Sequence, residues 1–235
     1  MSFCCAAERQ FGRESAERDL RRYRRRGADA VTKLMLAQLR RWPLKNKQLL
    51  NIGGGIGVIN AELAADGIAG TTLVEASSAY LDVARRELQS RYAARSTEFL
   101  LADFARISDT VADADVITLD RVVCCYPDAE GLLRGAAART RQLLAFSYPQ
   151  DRWYMRMITA IQNFFRWMKG NVFRTFVHSP QQISAVLERA ELVRAGTQGT
   201  LVWAVDLYRR EGDIPQTLDK GDAGHRGKSP HDQAG

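Results

Sequence analysis

The N-terminal part of the chain has the apolar spacing of two amphipathic helices. Between residues 13 and 42 the apolar positions recur three or four residues apart in two groups, which puts each group on one face of a helix. These positions are Leu20 and Tyr23 in the first group, and Val31, Leu34, Met35 and Leu39 in the second. Gly27 separates the groups and Pro43 follows the second, so we expect one helix to end at Gly27 and the other before Pro43.

Short apolar runs and longer amphipathic runs alternate through the middle of the chain. The short runs are typical of buried strands and the longer ones of helices. The predicted strands are residues 47–52, 71–75, 97–101, 115–120 and 142–147, and the predicted helices are residues 56–65, 78–91 and 129–140. Because strand–helix alternation builds a parallel sheet with helices on both faces, this pattern predicts an α/β fold.

Two further helices and two strands are predicted after residue 150. The predicted helices are an aromatic-rich run over residues 152–169 and a run that begins at Pro180, and the predicted strands, residues 192–195 and 200–208, form a hairpin. The whole prediction is a Rossmann-like, seven-stranded, mostly parallel sheet with a C-terminal antiparallel hairpin and an N-terminal helical extension.

The chain divides into three predicted parts. Residues 1–46 form the helical extension and residues 47–210 the α/β domain. Residues 211–235 are rich in Gly, Asp, Lys and Pro and have almost no apolar side chains, which predicts a disordered tail.

Positive charge is concentrated in the N-terminal extension. Residues 1–47 hold thirteen Lys and Arg against five Asp and Glu, whereas the whole chain has a net charge of +7. The arginines predict either a clamp for an anionic substrate or RNA, or the solvated face of a helix, since Glu14, Glu17 and Asp19 are interleaved with them. Residues 1–9 do not have the pattern of a signal peptide, and no apolar run is long enough to span a bilayer. We therefore expect a soluble, cytoplasmic protein without a membrane partner.

The four cysteines form two adjacent pairs, Cys4-Cys5 and Cys124-Cys125. This spacing differs from the CxxC spacing of zinc sites, and we expect no metal site. The pairs are interpreted either as buried or free thiols, or as a redox or metalloid-binding site in which both pairs meet.

A glycine-rich turn and three carboxylates are the sharpest functional signal. Residues 51–57 read Asn-Ile-Gly-Gly-Gly-Ile-Gly, between a predicted strand and a predicted helix, where glycines let a ligand approach the backbone. Glu75, Asp103 and Asp120 end the next three predicted strands, at the sheet edge where open α/β sheets bind ligands. A carboxylate at Glu75 can accept ribose hydroxyls, and Asp103 can accept from an adenine amino group with Phe104 nearby. Each acid considered alone is equally consistent with a helix cap or a turn.

The glycine spacing resembles class I S-adenosylmethionine (SAM)-dependent methyltransferases. Gly53, Gly55 and Gly57 give G-x-G-x-G rather than the G-x-G-x-x-G of dinucleotide-binding proteins. The resemblance covers residues 47–208 and implies that the three glycines line the methionine part of SAM, with Glu75 at the ribose and Asp103 at the adenine. Asn51 stands where the family usually has an acid, and an amide there can fix the loop by hydrogen bonds. The complete predicted cofactor set is Asn51, Gly53, Gly54, Gly55, Gly57, Glu75, Ala76, Asp103, Phe104 and Asp120.

A narrower resemblance concerns residues 119–127 and 173–179. These segments are similar to the magnesium-protoporphyrin O-methyltransferase branch, which has a His-Tyr-Pro segment after its fourth strand. Cys125 stands where that His would be, so the resemblance implies shared ancestry rather than the same substrate. His178, Tyr126 and Asp120 are the predicted catalytic residues. His178 is either a base or a structural loop histidine, and Tyr126 either contacts the acceptor or stabilises a turn.

The sequence thus predicts a SAM-dependent methyltransferase for a small-molecule acceptor. The aromatic run 152–169 suits a flat or apolar acceptor, or else packs in the core. One alternative is a SAM-binding module without catalysis. A second is an RNA methyltransferase that uses the basic N-terminus, although nucleic acid is the less favoured partner because no RNA-binding module is recognised.

Overall fold

The computed structural model describes residue 8, residues 10–91 and residues 96–212. Cys4 and Cys5, and the predicted tail from residue 213 onward, lie outside the described residues. The described helices are α1 (Arg13–Arg26), α2 (Ala30–Leu39), α3 (Val58–Ala65), α4 (Ser78–Arg91), α5 (Phe104–Ile107), α6 (Ala129–Arg139), α7 (Trp153–Met168) and α8 (Pro180–Glu188). The described strands are β1 (Gln48–Ile52), β2 (Gly70–Glu75), β3 (Ser96–Leu101), β4 (Ala114–Leu119), β5 (Thr140–Pro149), β6 (Leu192–Gly199) and β7 (Trp203–Arg210).

The seven strands form one sheet in the order β3-β2-β1-β4-β5-β7-β6. Strands β1 to β5 pair in parallel, and β7 pairs antiparallel with both β5 and β6. The predicted mostly parallel sheet with a C-terminal antiparallel hairpin is therefore confirmed. The order reverses between β1 and β4, and this reversal opens a crevice at the carboxyl ends of the strands.

Two apolar layers bury the faces of the sheet. On one side α2 and α3 pack on β1, β5 and β7 through a cluster that includes Met35, Leu36 and Leu63. On the other side α6 and α8 pack on the sheet through Leu132, Leu133 and Leu187, among others. Strands β1, β2, β4 and β5 are buried along most of their length, which is why their sequences read as continuous apolar runs instead of alternating ones.

The predicted helix break at Gly27 is confirmed, and its cause is local. Gly27 has a φ of +71°, which ends α1, and Asp29 then accepts hydrogen bonds from the backbone N–H groups of Val31 and Thr32 at the start of α2. The break lets the two helices pack in different places. Helix α1 packs against α4, whereas α2 packs against the sheet.

Two strands are longer than the sequence predicts. Strand β5 extends beyond residues 142–147 because it pairs with a neighbour on each side. Strand β6 extends beyond residue 195 through an irregularity between Arg194 and Gly196, where the register against β7 shifts. The interruption in the apolar pattern at this bulge hides the continuation of the strand.

The aromatic helix α7 is not a core helix. Within α7, all of whose residues are described, Met155 alone is buried, and Trp153 and Trp167 are 76% and 62% exposed. Core packing is therefore the wrong interpretation for most of its aromatic side chains. No helix in the described part of the chain is long and apolar enough to cross a bilayer.

Candidate active site

The glycine turn after β1 is fixed by the backbone of β2. Gly53 donates from its backbone N–H to the Val74 carbonyl oxygen at 2.7 Å, and its φ is +61°. A Cβ atom on Gly53 would lie 2.5 Å from Cγ2 of Val122, so both the backbone conformation and the space require glycine. Gly57 has a φ of +80° and begins α3, which directs the N-terminal end of that helix at the turn.

Glu75 closes the turn from the end of β2. One carboxylate oxygen accepts from the Gly55 N–H at 2.9 Å, and the other accepts from the N–H groups of Ala76 and Ser77 at 2.9 and 3.0 Å. Burial raises the pKa of the Glu75 carboxyl above its ordinary value, although these three N–H groups act in the opposite direction. A buried carboxylate that faces a glycine turn is equipped to accept further hydrogen bonds from ligand hydroxyls.

Asn51 holds the base of the turn. Its amide nitrogen donates to the Asn60 side-chain oxygen at 2.7 Å, and its oxygen accepts from the Thr118 hydroxyl at 3.0 Å. The side chain is 1% exposed, so an amide satisfies this position without the cost of burying a charge. The bonds join β1, α3 and β4 at the point where the sheet order reverses.

A cavity of about 310 Å³ lies over the turn, within the size range of small-molecule sites. The predicted site residues in its lining are Asn51, Gly53, Gly54, Gly55, Glu75, Ala76, Phe104, Asp120 and Tyr126. Gly57, Asp103 and His178 are not among the described residues that line this cavity. The structure therefore brings most of the predicted site together and leaves three predicted residues outside it.

Asp103 is directed toward Tyr126. The Tyr126 hydroxyl donates to a carboxylate oxygen of Asp103 at 2.7 Å, and the same oxygen accepts from the Ala105 N–H at 3.2 Å. The acid therefore caps α5 and fixes Tyr126, while its neighbours Ala102 and Phe104 line the cavity. Contact between Asp103 and an adenine stays a prediction.

His178 lies on the outer side of the segment that carries Tyr126. Its Nε2 is 3.0 Å from the Tyr126 carbonyl oxygen, so this nitrogen donates a proton to the backbone. The ring lines a separate surface pocket with Pro127 and Asp128, and burial lowers the pKa of the imidazole. This position is that of a residue supporting a loop, and its predicted role as a base has no geometric support.

Asp120 anchors the N-terminal helices to the end of β4. Its carboxylate accepts from the Thr32 hydroxyl and the Ser147 hydroxyl, each at 2.6 Å, and from the Arg121 guanidinium at 3.1 Å. Arg121 reaches on to Asp29 at 2.7 Å. Burial acts to raise the pKa of Asp29, but the Arg121 charge and the Thr32 hydrogen bonds hold it below its ordinary value.

Arg121, Asp29 and Thr32 line the cavity and were not identified from the sequence. Arg121 has a φ of +60°, which turns its side chain back over the site. The arginine that follows Asp120 is a weak signal, since nothing in the local pattern shows that Asp29, far away in the chain, is its partner.

Helix α1 forms the roof of the cavity. The Tyr80 hydroxyl on α4 donates to Asp19 at 2.7 Å, and Arg24 bonds to the buried Glu87 at 3.1 and 2.5 Å. Asp19, Arg22 and Tyr23 line the cavity from this side. Of the acids interleaved with the α1 arginines, Asp19 pairs with Arg22 and Glu17 pairs with Arg86 of α4, which agrees with the solvated-face interpretation.

Comparisons with known proteins give matches in structure. No family model and no curated protein matches the sequence. The magnesium protoporphyrin IX methyltransferase of Synechocystis, solved with bound SAM, matches with a TM-score of 0.67 and 15% identity, over 90% of this chain and 98% of that chain. A SAM-dependent methyltransferase from Mesorhizobium loti matches with a TM-score of 0.61 and 14% identity, over 78% and 99% of the two chains.

A third structure with this fold has a different name. The cyclase SpnF matches with a TM-score of 0.57 and 13% identity, over 76% of this chain and 80% of that chain. A shared fold therefore does not decide the reaction. The strand order, the glycine turn and these matches together show that this chain has the fold of class I SAM-dependent methyltransferases.

Proposed function

We propose that this protein binds SAM in the 310 Å³ cavity and transfers its methyl group to a small-molecule acceptor. The observation that carries the proposal is the Glu75 carboxylate, buried at the cavity and bonded to the Gly55 N–H of the glycine turn. The structural likeness to proteins solved with SAM or S-adenosylhomocysteine supports the choice of cofactor.

The residues present fit such a cofactor. Gly53, Gly54 and Gly55 line the cavity and have no side chains, so a ligand can approach the backbone of the turn closely. Glu75 would accept from the ribose hydroxyls, Phe104 and Ala102 would lie beside the base, and Asn51 would hold the turn in place. SAM supplies a methyl group on a sulfonium, which an acceptor atom attacks in line.

The contribution of the chain is alignment of the acceptor and exclusion of water. Arg121, Cys125 and Tyr126 line one part of the cavity, after β4, and we assign the acceptor to this part. Asp120 acts as a positioning residue, because its oxygens already accept from Thr32, Ser147 and Arg121. A general base is needed only where the acceptor must lose its proton before it attacks.

Calorimetric titration with SAM and S-adenosylhomocysteine tests the binding step. We expect saturable heat with both ligands. A screen of flat anionic and phenolic metabolites, with release of S-adenosylhomocysteine as the readout, tests the transfer step. Binding without turnover for any acceptor would favour the non-catalytic module, and absence of binding would refute the proposal.

RNA methylation is the weaker alternative. Arg22 and Arg24 on α1 pair with Asp19 and Glu87, which reduces the charge they offer to a phosphate backbone. An RNA enzyme would show RNA affinity that falls steeply with salt. We expect no such affinity at physiological ionic strength.

A further inference from the structure

Two thiols lie side by side at the acceptor part of the cavity. Cys124 and Cys125 occupy a short 3₁₀ helix, Val123–Cys125, directly after the turn at Arg121. Their sulfur atoms are 3.8 Å apart, and both lie 3.5 Å from the Arg121 carbonyl oxygen. Both cysteines are free, and Cys125 lines the cavity. The proposed methyl transfer gives neither thiol a chemical role, although Cys125 lines the part of the cavity assigned to the acceptor.

The spacing of the two sulfurs suits one soft atom held between them. Two sulfurs bound to a single centre at ~2.3 Å lie roughly 3.2 to 3.8 Å apart when the angle between the two bonds is about 90 to 110°. Formation of a disulfide would instead require the sulfurs to approach to ~2.05 Å. The observed separation therefore matches a bridged pair of thiols with little movement of the backbone.

The surroundings select against ordinary metal ions. Among the described residues, no group of three or more His, Cys, Asp or Glu side chains is placed to hold a metal ion. Zinc takes four ligands, or three and a water, so two sulfurs alone do not make a zinc site. Trivalent arsenic completes its coordination with two sulfurs and its own third substituent, so it needs no third protein ligand.

The protonation state of Cys125 favours the same class of ligand. The hydrogen bond with Cys124, together with burial, raises the pKa of the Cys125 thiol well above its ordinary value. Metal ions bind thiolates, whereas a trivalent arsenical can condense with neutral thiols and release water. A protonated Cys125 thiol, closely spaced from a second sulfur, therefore disfavours cations relative to neutral arsenicals.

We propose that Cys124 and Cys125 form a binding site for trivalent arsenicals that opens into the cavity assigned to SAM. With phenylarsine oxide as the probe, two As–S bonds form, the As–O bond breaks, and both thiol hydrogens leave with the oxygen as one water. Arsenic stays trivalent and no oxidant or reductant is needed. The arsenical then occupies the place from which an acceptor would approach the cofactor.

Intact-mass spectrometry of the full chain with phenylarsine oxide tests this site. In a Cys4→Ser/Cys5→Ser double variant, which keeps only Cys124 and Cys125, we expect one phenylarsenic group per chain and a fall in titratable thiols from two to none. In that double variant, a further Cys124→Ser or Cys125→Ser change should weaken retention of the probe by roughly 100-fold, because each removes one arm of a chelate. Thermal melting of both variants checks that they remain folded.

The second cysteine pair is the matched control. A Cys4→Ser/Cys5→Ser double variant should retain the probe as the wild type does. If this variant lost the probe while Cys124→Ser and Cys125→Ser retained it, the proposal would be overturned. If the wild type took up no probe, the proposal would likewise be wrong.

A protection experiment separates this proposal from the proposed function. Because Cys125 lines the cavity, saturating S-adenosylhomocysteine should slow probe addition to the wild type several-fold. If S-adenosylhomocysteine binds but the rate of probe addition stays the same, the two ligands do not share the cavity. If S-adenosylhomocysteine did not bind at all, the proposed function would fail, whereas the mass measurements would still decide the arsenical site.

Discussion

The glycine turn after β1 and the helix α7 differ in how well the sequence pattern predicts what the side chains contact. At the turn the side chains of Asn51 and Glu75 are held by hydrogen bonds, and Gly53 has no room for a side chain. In α7 the strongly amphipathic pattern remains, yet its apolar face is exposed and only Met155 is buried within the described helix. Local pattern therefore predicts that an element forms, but not what lies against it.

The largest effect at the glycine turn should come from replacing Gly53, with Gly170 as a control of similar backbone conformation. Gly53 and Gly170 have φ angles of +61° and +67°, but a Cβ at Gly170 would have no atom within 4 Å. Gly170→Ala should cost about 1 kcal/mol for the strained backbone. Gly53→Ala should cost a further 1–3 kcal/mol or so for the clash with Val122. Chemical denaturation measures both, and equal costs would mean that the turn is looser than described.

Ligand binding should be the next most sensitive property. Glu75→Gln replaces one carboxylate oxygen with an N–H donor that faces the backbone N–H groups of the turn. Loss of charge-assisted hydrogen bonds to ribose should weaken SAM binding by about 1.5–3 kcal/mol. Calorimetry checks this, with the more exposed Glu98→Gln as the control that should bind normally. If Glu75→Gln bound SAM with wild-type affinity, the assignment of Glu75 to the ribose hydroxyls would be wrong.

A smaller, pH-dependent effect should also trace to Glu75. Its folded-state pKa is raised, so the stability that the protonated carboxyl contributes is complete below its ordinary value of 4.5. That contribution is lost as the pH rises through the folded-state pKa, by about 1.4 kcal/mol for each unit of difference between the states. The stability of wild type minus that of Glu75→Gln should therefore decrease as the pH rises from 4.5. A difference that grows with pH would mean that the turn stabilises the charged form.

The smallest effect is expected on α7. Phe165 is 56% exposed, so Phe165→Ser should change the free energy of unfolding by no more than about 0.5 kcal/mol. Phe146, buried in the core, should lose about 3–5 kcal/mol as Phe146→Ala. Thermal or chemical unfolding compares the two variants. A loss above 1 kcal/mol in Phe165→Ser would show that the α7 face is covered in solution.

Strand ends were the most reliable guide to the site. Glu75 and Asp120 follow apolar runs whose lengths fix where each strand stops, and parallel strands bring those ends to one edge. The sequence does not predict the orientation of side chains whose partners lie far away in the chain. Asp103 ends β3 as expected, but it is turned toward Tyr126, and His178 supports the backbone of the same loop.

The sequence by itself determined the strands, the break at Gly27, the glycine turn and the acid at position 75. Those features follow from periodicity and backbone conformation, which are properties of neighbouring residues. Only the tertiary structure decided that Arg121 joins Asp29 to Asp120, that Cys125 lines the cavity, and that α7 leaves its aromatic side chains exposed. These outcomes depend on which distant segments meet and where their side chains point, and local spacing carries no information about either.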